Sequence, residues 1–274
     1  MKYDLHSHSH YSDGTLSPTE LVKQAVAAEI NYLALTDHDT VLGLHEAQLA
    51  ASQAELNLIN GVELSCAWNH QLLHVVGLNI DPTNQALLAG IKQNRERRFK
   101  RADAMFDDLE KHDIHIRNQV QALIHSGGAP TRPHFAQALV EQGYAKDKKQ
   151  AFKRYLVPNK PGFIAVQWPA IEEVGEWIKA AGGIAVLAHP IRYKFTRSKL
   201  IRLICDMQAA NVHGMEITTP ITSNEQSSML SQLAIEHHLL ASTGSDFHSN
   251  DQPWAKLGGA RPLPAGLTPV WSQF

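Results

Sequence analysis

Cysteine is almost absent: Cys66 and Cys205 are the only two in 274 residues. A disulfide scaffold and a thiolate zinc site are therefore not suggested. Neither sign of charge dominates, with 25 Lys and Arg against 27 Asp and Glu and a net charge of -2. No general basic field advertises long duplex nucleic acid, which leaves room only for a local basic patch. No apolar run is long enough to span a bilayer, and none precedes a cleavage site at the N-terminus. A cytoplasmic chain with no membrane partner is expected. There is no Gly-x-Ser-x-Gly elbow, no phosphate-binding Walker loop and no dinucleotide glycine fingerprint, and nothing points to Ser-His-Asp catalysis. No internal repeat or low-complexity segment occurs. What is present is a 43% hydrophobic content, ample for one barrel-sized domain or a domain with an insertion, and an unusual stock of 16 histidines.

The first line carries the densest group of them. Tyr3 and Leu5 read as a short strand, and residues two apart on a strand point the same way. His6 and His8 therefore project together from its end, where two imidazoles can bind one cation. Asp13, on a loop closed by Gly14, can reach back to the same place. The alternative is a polar turn with solvated histidines, and the rest of the chain decides between them.

Ser17-Pro18-Thr19-Glu20 starts a helix, with a cap, a proline suited to the first helical position and the Glu of a capping box. A strand over 32–36 runs into Asp37-His38-Asp39. A helix over about 42–56 follows, then a strand over 58–64 carrying Glu63 and one over 72–78 carrying His74. This alternation is the pattern of a parallel α/β sheet or barrel. The rhythm then breaks. Residues 81–161 read as five helices, over 85–91, 94–112, 117–124, 133–142 and 146–155, forming an insertion domain packed over one mouth of a barrel built from 1–80 and 162–274. The basic run Arg95, Arg97, Arg98, Lys100 and Arg101 within it reads as a solvated helix face rather than a nucleic-acid contact. Helix and strand then alternate again: a helix over 170–181, a strand over 184–188 ending in His189, a helix over 199–210, a strand over 214–218, a helix over 224–237 and a strand over 239–243 running out to Asp246 and His248. The tail from Pro253 reads as irregular.

His6, His8, His38, Glu63, His74, His189, Asp246 and His248 all sit at or near strand ends. The C-terminal rim is where side chains from separate strands of a parallel barrel converge. Singly each has a plain structural explanation: a satisfied core histidine, a buried ion-pair partner, a helix cap. Together they do not, because unpaired ionisable groups are costly to bury. Histidines and carboxylates without thiolates suit Mn²⁺, Fe²⁺ or Zn²⁺, and the donors are too many for one ion.

Asp4-Leu5-His6-Ser7-His8, Thr36-Asp37-His38-Asp39, Gly61-Val62-Glu63, His74, Ala188-His189-Pro190 and Gly244-Ser245-Asp246-Phe247-His248 resemble, in order, the motifs of the PHP (polymerase and histidinol phosphatase) domain. The resemblance implies an α/β fold, a distorted (β/α)₇ barrel with three divalent metals, Mn²⁺ first and Zn²⁺ or Fe²⁺ as alternatives. It implies that His6, His8, Glu63 and Asp246 hold one ion, that Glu63, His74 and His189 hold a second, and that Asp13, His38 and His248 hold a third. Glu63, Asp246 and His134 are the expected catalytic residues. The helical insertion resembles the branch containing 3′,5′-nucleotide bisphosphate phosphatases and a 5′→3′ exoribonuclease that trims ribosomal RNA. In that branch the counterparts of Arg132, His134, Lys160 and Arg192 grip phosphate, and His134 is expected also to touch a phosphate or leaving oxygen.

The leading expectation is thus a metal-dependent phosphoesterase acting on a nucleotide bisphosphate or a short 5′-phosphorylated RNA end. Histidinol-phosphate phosphatase is a second reading, and a non-catalytic metal-binding module a third. The intact donor set argues against the third. Oligomeric state is not legible.

Overall fold

The computed structural model describes residues 1–125 and 127–274. Its strands are β1 (Tyr3–Asp4), β2 (Tyr32–Leu35), β3 (Asn57–Trp68), β4 (Gln71–Leu78), β5 (Ile184–Leu187), β6 (Val212–Thr218), β7 (Leu240–Thr243) and β8 (Thr268–Pro269). They form one sheet in chain order. Helices α1 (Pro18–Ala27), α2 (Leu44–Gln53), α7 (Ile171–Ala180), α8 (Arg197–Ala209) and α9 (Asn224–Glu236) connect the barrel strands, while α3 (Gln85–Glu110), α4 (Arg117–Leu123), α5 (Arg132–Glu141) and α6 (Lys148–Tyr155) lie between β4 and β5. Among the described residues no helix is long and apolar enough to cross a membrane.

The sheet curls until its ends meet. Leu5 N–H donates to Thr243 O at 3.0 Å, Asp246 N–H to His6 O at 2.9 Å and His8 N–H to Phe247 O at 2.9 Å. This brings the chain beyond β1 beside the chain beyond β7. The approach needs Gly244, where a Cβ would stand 2.4 Å from His6 Cβ.

Three elements depart from the sequence reading. The strands are not all parallel: β4 runs antiparallel to both β3 and β5. Only Asn69 and His70 separate β3 from β4, with φ of 46° and 61°. A two-residue turn with both φ positive makes a hairpin, whereas a parallel connection needs a dozen or more residues. The expected helices over 85–91 and 94–112 are one continuous α3, since nothing between Ile91 and Asn94 breaks a helix. The tail is only partly irregular, because β8 pairs with β7 and Trp271 stacks on Tyr3 at 3.9 Å. The expected capping box is present, with Glu20 N–H donating to Ser17 Oγ and Ser17 N–H to Glu20.

Three hydrophobic cores follow among the described residues, the smallest joining Leu5, Ala34, Val76, Val186 and Val270. The largest lies between the barrel and its helices, and Leu87 and Ile91 of α3 belong to it. The second joins Ala102, Met105, Phe106 and Leu109 of the same helix to Phe135, Leu139 and Leu156. α3 is therefore the beam that carries the helical segment over the rim.

Candidate metal centre and its cleft

His6 and His8 are fully buried, and their Nε2 atoms are 3.1 Å apart. Glu63 Oε2 lies 3.3 Å from His6 Nε2 and 3.4 Å from His8 Nε2. Asp246 Oδ1 lies 3.4 and 3.3 Å from the same two atoms. Ligands bonded at about 2.1 Å to one cation sit about 3.0–3.4 Å from one another in octahedral or tetrahedral arrangement, and these four donors have that spacing. The other oxygen of Glu63, Oε1, lies 3.1 Å from both His74 Nδ1 and His189 Nε2. Asp13 Oδ1 stands 3.3 Å from His248 Nε2 and 3.8 Å from His38 Nε2, in a group that His8 completes. His38 turns its Nδ1 to Glu63 Oε2 at 2.8 Å. All nine residues expected as metal ligands thus converge, with Glu63 central.

The orientations suit metal better than mutual hydrogen bonding. Asp13 Oδ1, His38 Nδ1 and Glu63 Oε2 are buried and have no aligned hydrogen bond despite these short separations. Buried polar atoms are rarely left so. Second partners fix two of the rings. His6 Nδ1 contacts Glu216 Oε1 at 2.6 Å, and His248 Nδ1 contacts Asp246 O at 2.9 Å. With the proton on Nδ1 in each, the Nε2 lone pair faces the cluster, the arrangement that metal-binding histidines adopt.

Charge in the cluster is strongly coupled. Burial alone would raise the Glu63 carboxyl, but the facing His38, His6 and His74 hold it well below its usual range. Burial likewise opposes ionisation of Asp246, yet His6, His248 and Arg192 hold it well below the ordinary carboxylate value. Burial lowers His8 to about 3, helped by the neighbouring His248 and His38. Burial also lowers His74, to about 4, outweighing the attraction of Glu63. For His248 burial is overcome by Asp13 and Asp246, which lift it to about 9.

Local backbone supports the rim. His189 and Asp246 have φ of 33° and 52°, a region that non-glycine residues seldom occupy. His189 also precedes a proline, which disfavours helical conformations further. Such strain persists where surrounding contacts over-determine it.

β4 explains His74. The residue lies in the first half of its strand, yet it reaches the rim because β4 runs opposite to its neighbours. Sequence reading missed Glu216, a lone carboxylate inside the apolar run Met215–Ile217 of β6, which is the same signal that singled out Glu63. Asp37 is scaffold: it accepts from Ser9 N, Ser9 Oγ and Ser12 Oγ at 2.6–2.7 Å and so pins the loop bearing His8 and Asp13. Asp39 accepts from Ser65, Asn94 and Arg98, tying α3 to the rim.

A cleft of ≈ 570 Å³ opens in front of the cluster, and Arg98, Arg101, Arg132 and Arg192 are among the residues that line it. It continues past Arg101 and Arg132 into a space of ≈ 900 Å³ bounded by Phe163, Trp168 and Gln71. Arg132 is where the sequence placed it. Arg192 also lines the cleft, and its Nη1 lies 2.5 Å from Asp246 Oδ2. Two expected substrate residues are placed otherwise. Lys160 is exposed, and neither part of the cleft includes it. His134 is buried with Nδ1 turned back to accept from Thr131 N–H at 3.1 Å, closing the start of α5. It lines neither part of the cleft. The basic run on α3 is not a uniformly solvated face either: Arg98 is buried, and Asn94, Arg98 and Arg101 share the side turned to the barrel.

The PHP domain family matches residues 4–164, more than half of the chain. The chain belongs to the PHP family. It is 43% identical over 274 residues to the 5′-3′ exoribonuclease of Haemophilus influenzae, covering 100% of this chain and 99% of that one. It is 41% identical over 272 residues to the 3′,5′-nucleoside bisphosphate phosphatase of Chromobacterium violaceum, covering 99% and 95%. Among solved structures, an amidohydrolase from Chromobacterium violaceum with bound sulfate and no metal superposes with a TM-score of 0.94 at 41% identity, covering 100% of this chain and 95% of that one.

Proposed function

We propose that this PHP-family chain is a metal-dependent phosphoesterase that removes the 3′-phosphate from 3′,5′-nucleotide bisphosphates and hydrolyses 5′-phosphorylated RNA from its 5′ end. The observation that carries the reading is the pairing of the nine-residue donor cluster with an arginine-lined cleft, in a chain similar over its whole length to relatives with those two activities. The donors fit three divalent ions, Mn²⁺ first and Zn²⁺ or Fe²⁺ as alternatives. His6, His8, Glu63 and Asp246 would hold one, Glu63, His74 and His189 a second, and Asp13, His38 and His248 a third. Such ions, when bound, lower the pKa of water and neutralise charge on phosphoryl oxygens.

The chain's own residues do the rest. Glu216 and the Asp246 carbonyl hold the rings of His6 and His248 in one tautomer. Arg132 offers a planar fork for phosphate oxygens, and Arg192, beside Asp246, stands where a second phosphate oxygen would meet the cluster. Hydrolysis forms a phosphorus–oxygen bond from water and breaks the bond from phosphorus to the ribose 3′ oxygen. That bond is the same in a bisphosphate and in an RNA chain. Four arginines around the cleft do not suit the cationic amine of histidinol phosphate.

The test is a metal-loaded assay on linear 5′-phosphorylated RNA, the same RNA circularised, a 5′-hydroxyl control and histidinol phosphate. The linear 5′-phosphorylated form should be degraded fastest and the circle left intact. Equal cutting of the circle, or preferred turnover of histidinol phosphate, would refute the reading.

A further inference from the structure

Charge is spread unevenly along the chain. Residues 146–154 hold five Lys and Arg and one Asp, a net charge of +4. The other 265 residues hold 20 basic and 26 acidic ones, a net charge of -6. Lys146, Lys148, Lys149, Lys153 and Arg154 are all exposed. Exposed cations elsewhere have carboxylates beside them: Arg117 meets Asp103 and Asp107, Lys179 meets Glu176, and Arg197 meets Glu236. The five on and beside α6 have no ion pair among the described residues. Asp147, the one acidic residue among them, is taken up by the helix cap, where it accepts from Gln150 N–H at 2.7 Å.

Helix stability does not account for this charge. Lys148 and Lys149 are the first two residues of α6, the end at which the helix dipole disfavours cations, and that turn holds no acidic residue. A merely solvated helix face interleaves the two signs of charge, and α6 does not. Its place in the fold supplies the reason. Phe152 of α6 lines the cleft in front of the metal centre, and so does Pro158 just beyond the helix. Lys148 and Lys149 precede Phe152 by four and three residues and so share its side of α6, and Lys153 stands one turn beyond Lys149. Lys148 is near enough to His134 to add to the lowering of that imidazole, which burial dominates. Unpaired ammonium groups therefore border the mouth of the cleft, about 5–6 Å from one turn to the next. A mononucleotide held within the cleft leaves no charge for this border to meet. A strand that continues past its first nucleotide brings one phosphate per residue to it. Ammonium groups on flexible stems suit such a polyanion, because they attract backbone phosphate without reading sequence.

We propose that Lys148, Lys149 and Lys153 form an outer contact for single-stranded RNA, taking up backbone phosphates beyond the nucleotide that occupies the cleft. The proposal rests on the phosphoesterase reading above for what occupies the cleft. It deepens that reading, since it makes an RNA strand, rather than a mononucleotide bisphosphate, the substrate that this border serves.

The experiment compares wild type with the triple variant Lys148→Gln, Lys149→Gln, Lys153→Gln, each checked by circular dichroism and Tm. The substrates are 3′-phosphoadenosine 5′-phosphate and a 5′-phosphorylated oligoadenylate of 12 nucleotides, in Mn²⁺ at several salt concentrations. On the 12-mer at low salt, kcat/KM of the variant should fall at least about tenfold, mostly through KM, and its slope against salt on logarithmic axes should be shallower by about 2, the share of three phosphate contacts. On 3′-phosphoadenosine 5′-phosphate the variant should match wild type. An equal loss on both substrates, or none on the 12-mer, would overturn the proposal. If the triple variant does not fold, Lys153→Glu alone decides by the same comparison, with a loss confined to the 12-mer expected. If no protein turns over either substrate, equilibrium binding of a fluorescent 12-mer still decides on α6: tighter, more salt-dependent binding by wild type supports the contact, and equal binding overturns it. That separates failure of the contact from failure of the phosphoesterase reading.

Discussion

His6 Nδ1 contacts Glu216 Oε1 at 2.6 Å, and Glu216 Oε2 also accepts the backbone N–H of His189. One buried carboxylate on β6 thus sets the ring of one cluster residue and the backbone of another. Glu216→Gln is expected to weaken Mn²⁺ binding by about 10–100-fold, the usual effect of removing the partner of a ligating histidine, while the fold survives. Calorimetric titration of the metal-free protein measures it. Unchanged affinity would place Glu216 outside the support of the metal centre.

Glu63→Gln and Asp246→Asn each keep shape and remove a charge that faces several imidazoles. Both variants are expected to lose bound metal and all turnover in a metal-replete assay, with circular dichroism close to wild type. Full activity of either would refute the cluster assignment. Thermal melts should accompany the kinetics, because a rim of unpaired imidazoles is itself destabilising.

Arg132→Ala is expected to raise KM by about 10–150-fold, the loss of one charge-assisted contact of about 1.5–3 kcal/mol, with metal content unchanged. Arg192→Ala is expected to differ, because Arg192 Nη1 lies 2.5 Å from Asp246 Oδ2. It should lower metal retention as well as raise KM. Elemental analysis alongside kinetics separates the two variants, and identical behaviour would contradict the geometry.

Metal uptake should release protons and tighten as pH rises. In the metal-free protein burial is outweighed by Asp13 and Asp246 at His248, whose pKa is lifted to about 9, while burial keeps His8 near about 3 and His74 near about 4. The last two are neutral and ready at pH 7. His248 must give up a proton, so binding is penalised below its raised pKa and the penalty fades as pH approaches about 9. Mn²⁺ titrations at several pH values, in buffers of different ionisation enthalpy, measure this. Affinity that falls between pH 6 and 8 would contradict it.

Much of the site was legible because its residues break the local pattern. A carboxylate or imidazole at the end of an apolar strand has no cheap structural explanation, and His6, Glu63, His189 and Asp246 stand out for that reason. Glu216 carries the same signal in Met215-Glu216-Ile217 and was readable by it. The direction of β4 was readable too: the expected strands over 58–64 and 72–78 leave only seven residues between them, too few for a crossover of a dozen or more. Arg101, Lys160 and His134 were not readable. Which side of a long helix meets the barrel depends on packing between two cores, and a loop lysine or a helix-start histidine looks alike whether it faces a cleft or not.

The central claim is that water attacks the 3′-phosphorus beside the donor cluster while the arginine-lined cleft holds the 5′-phosphate. The most direct measurement is the product of Mn²⁺-loaded protein acting on 3′-phosphoadenosine 5′-phosphate, resolved by chromatography. The account predicts inorganic phosphate and adenosine 5′-monophosphate in equal amounts, with no adenosine 3′-monophosphate. Adenosine 3′-monophosphate as the product, or no turnover by metal-replete protein, would contradict it.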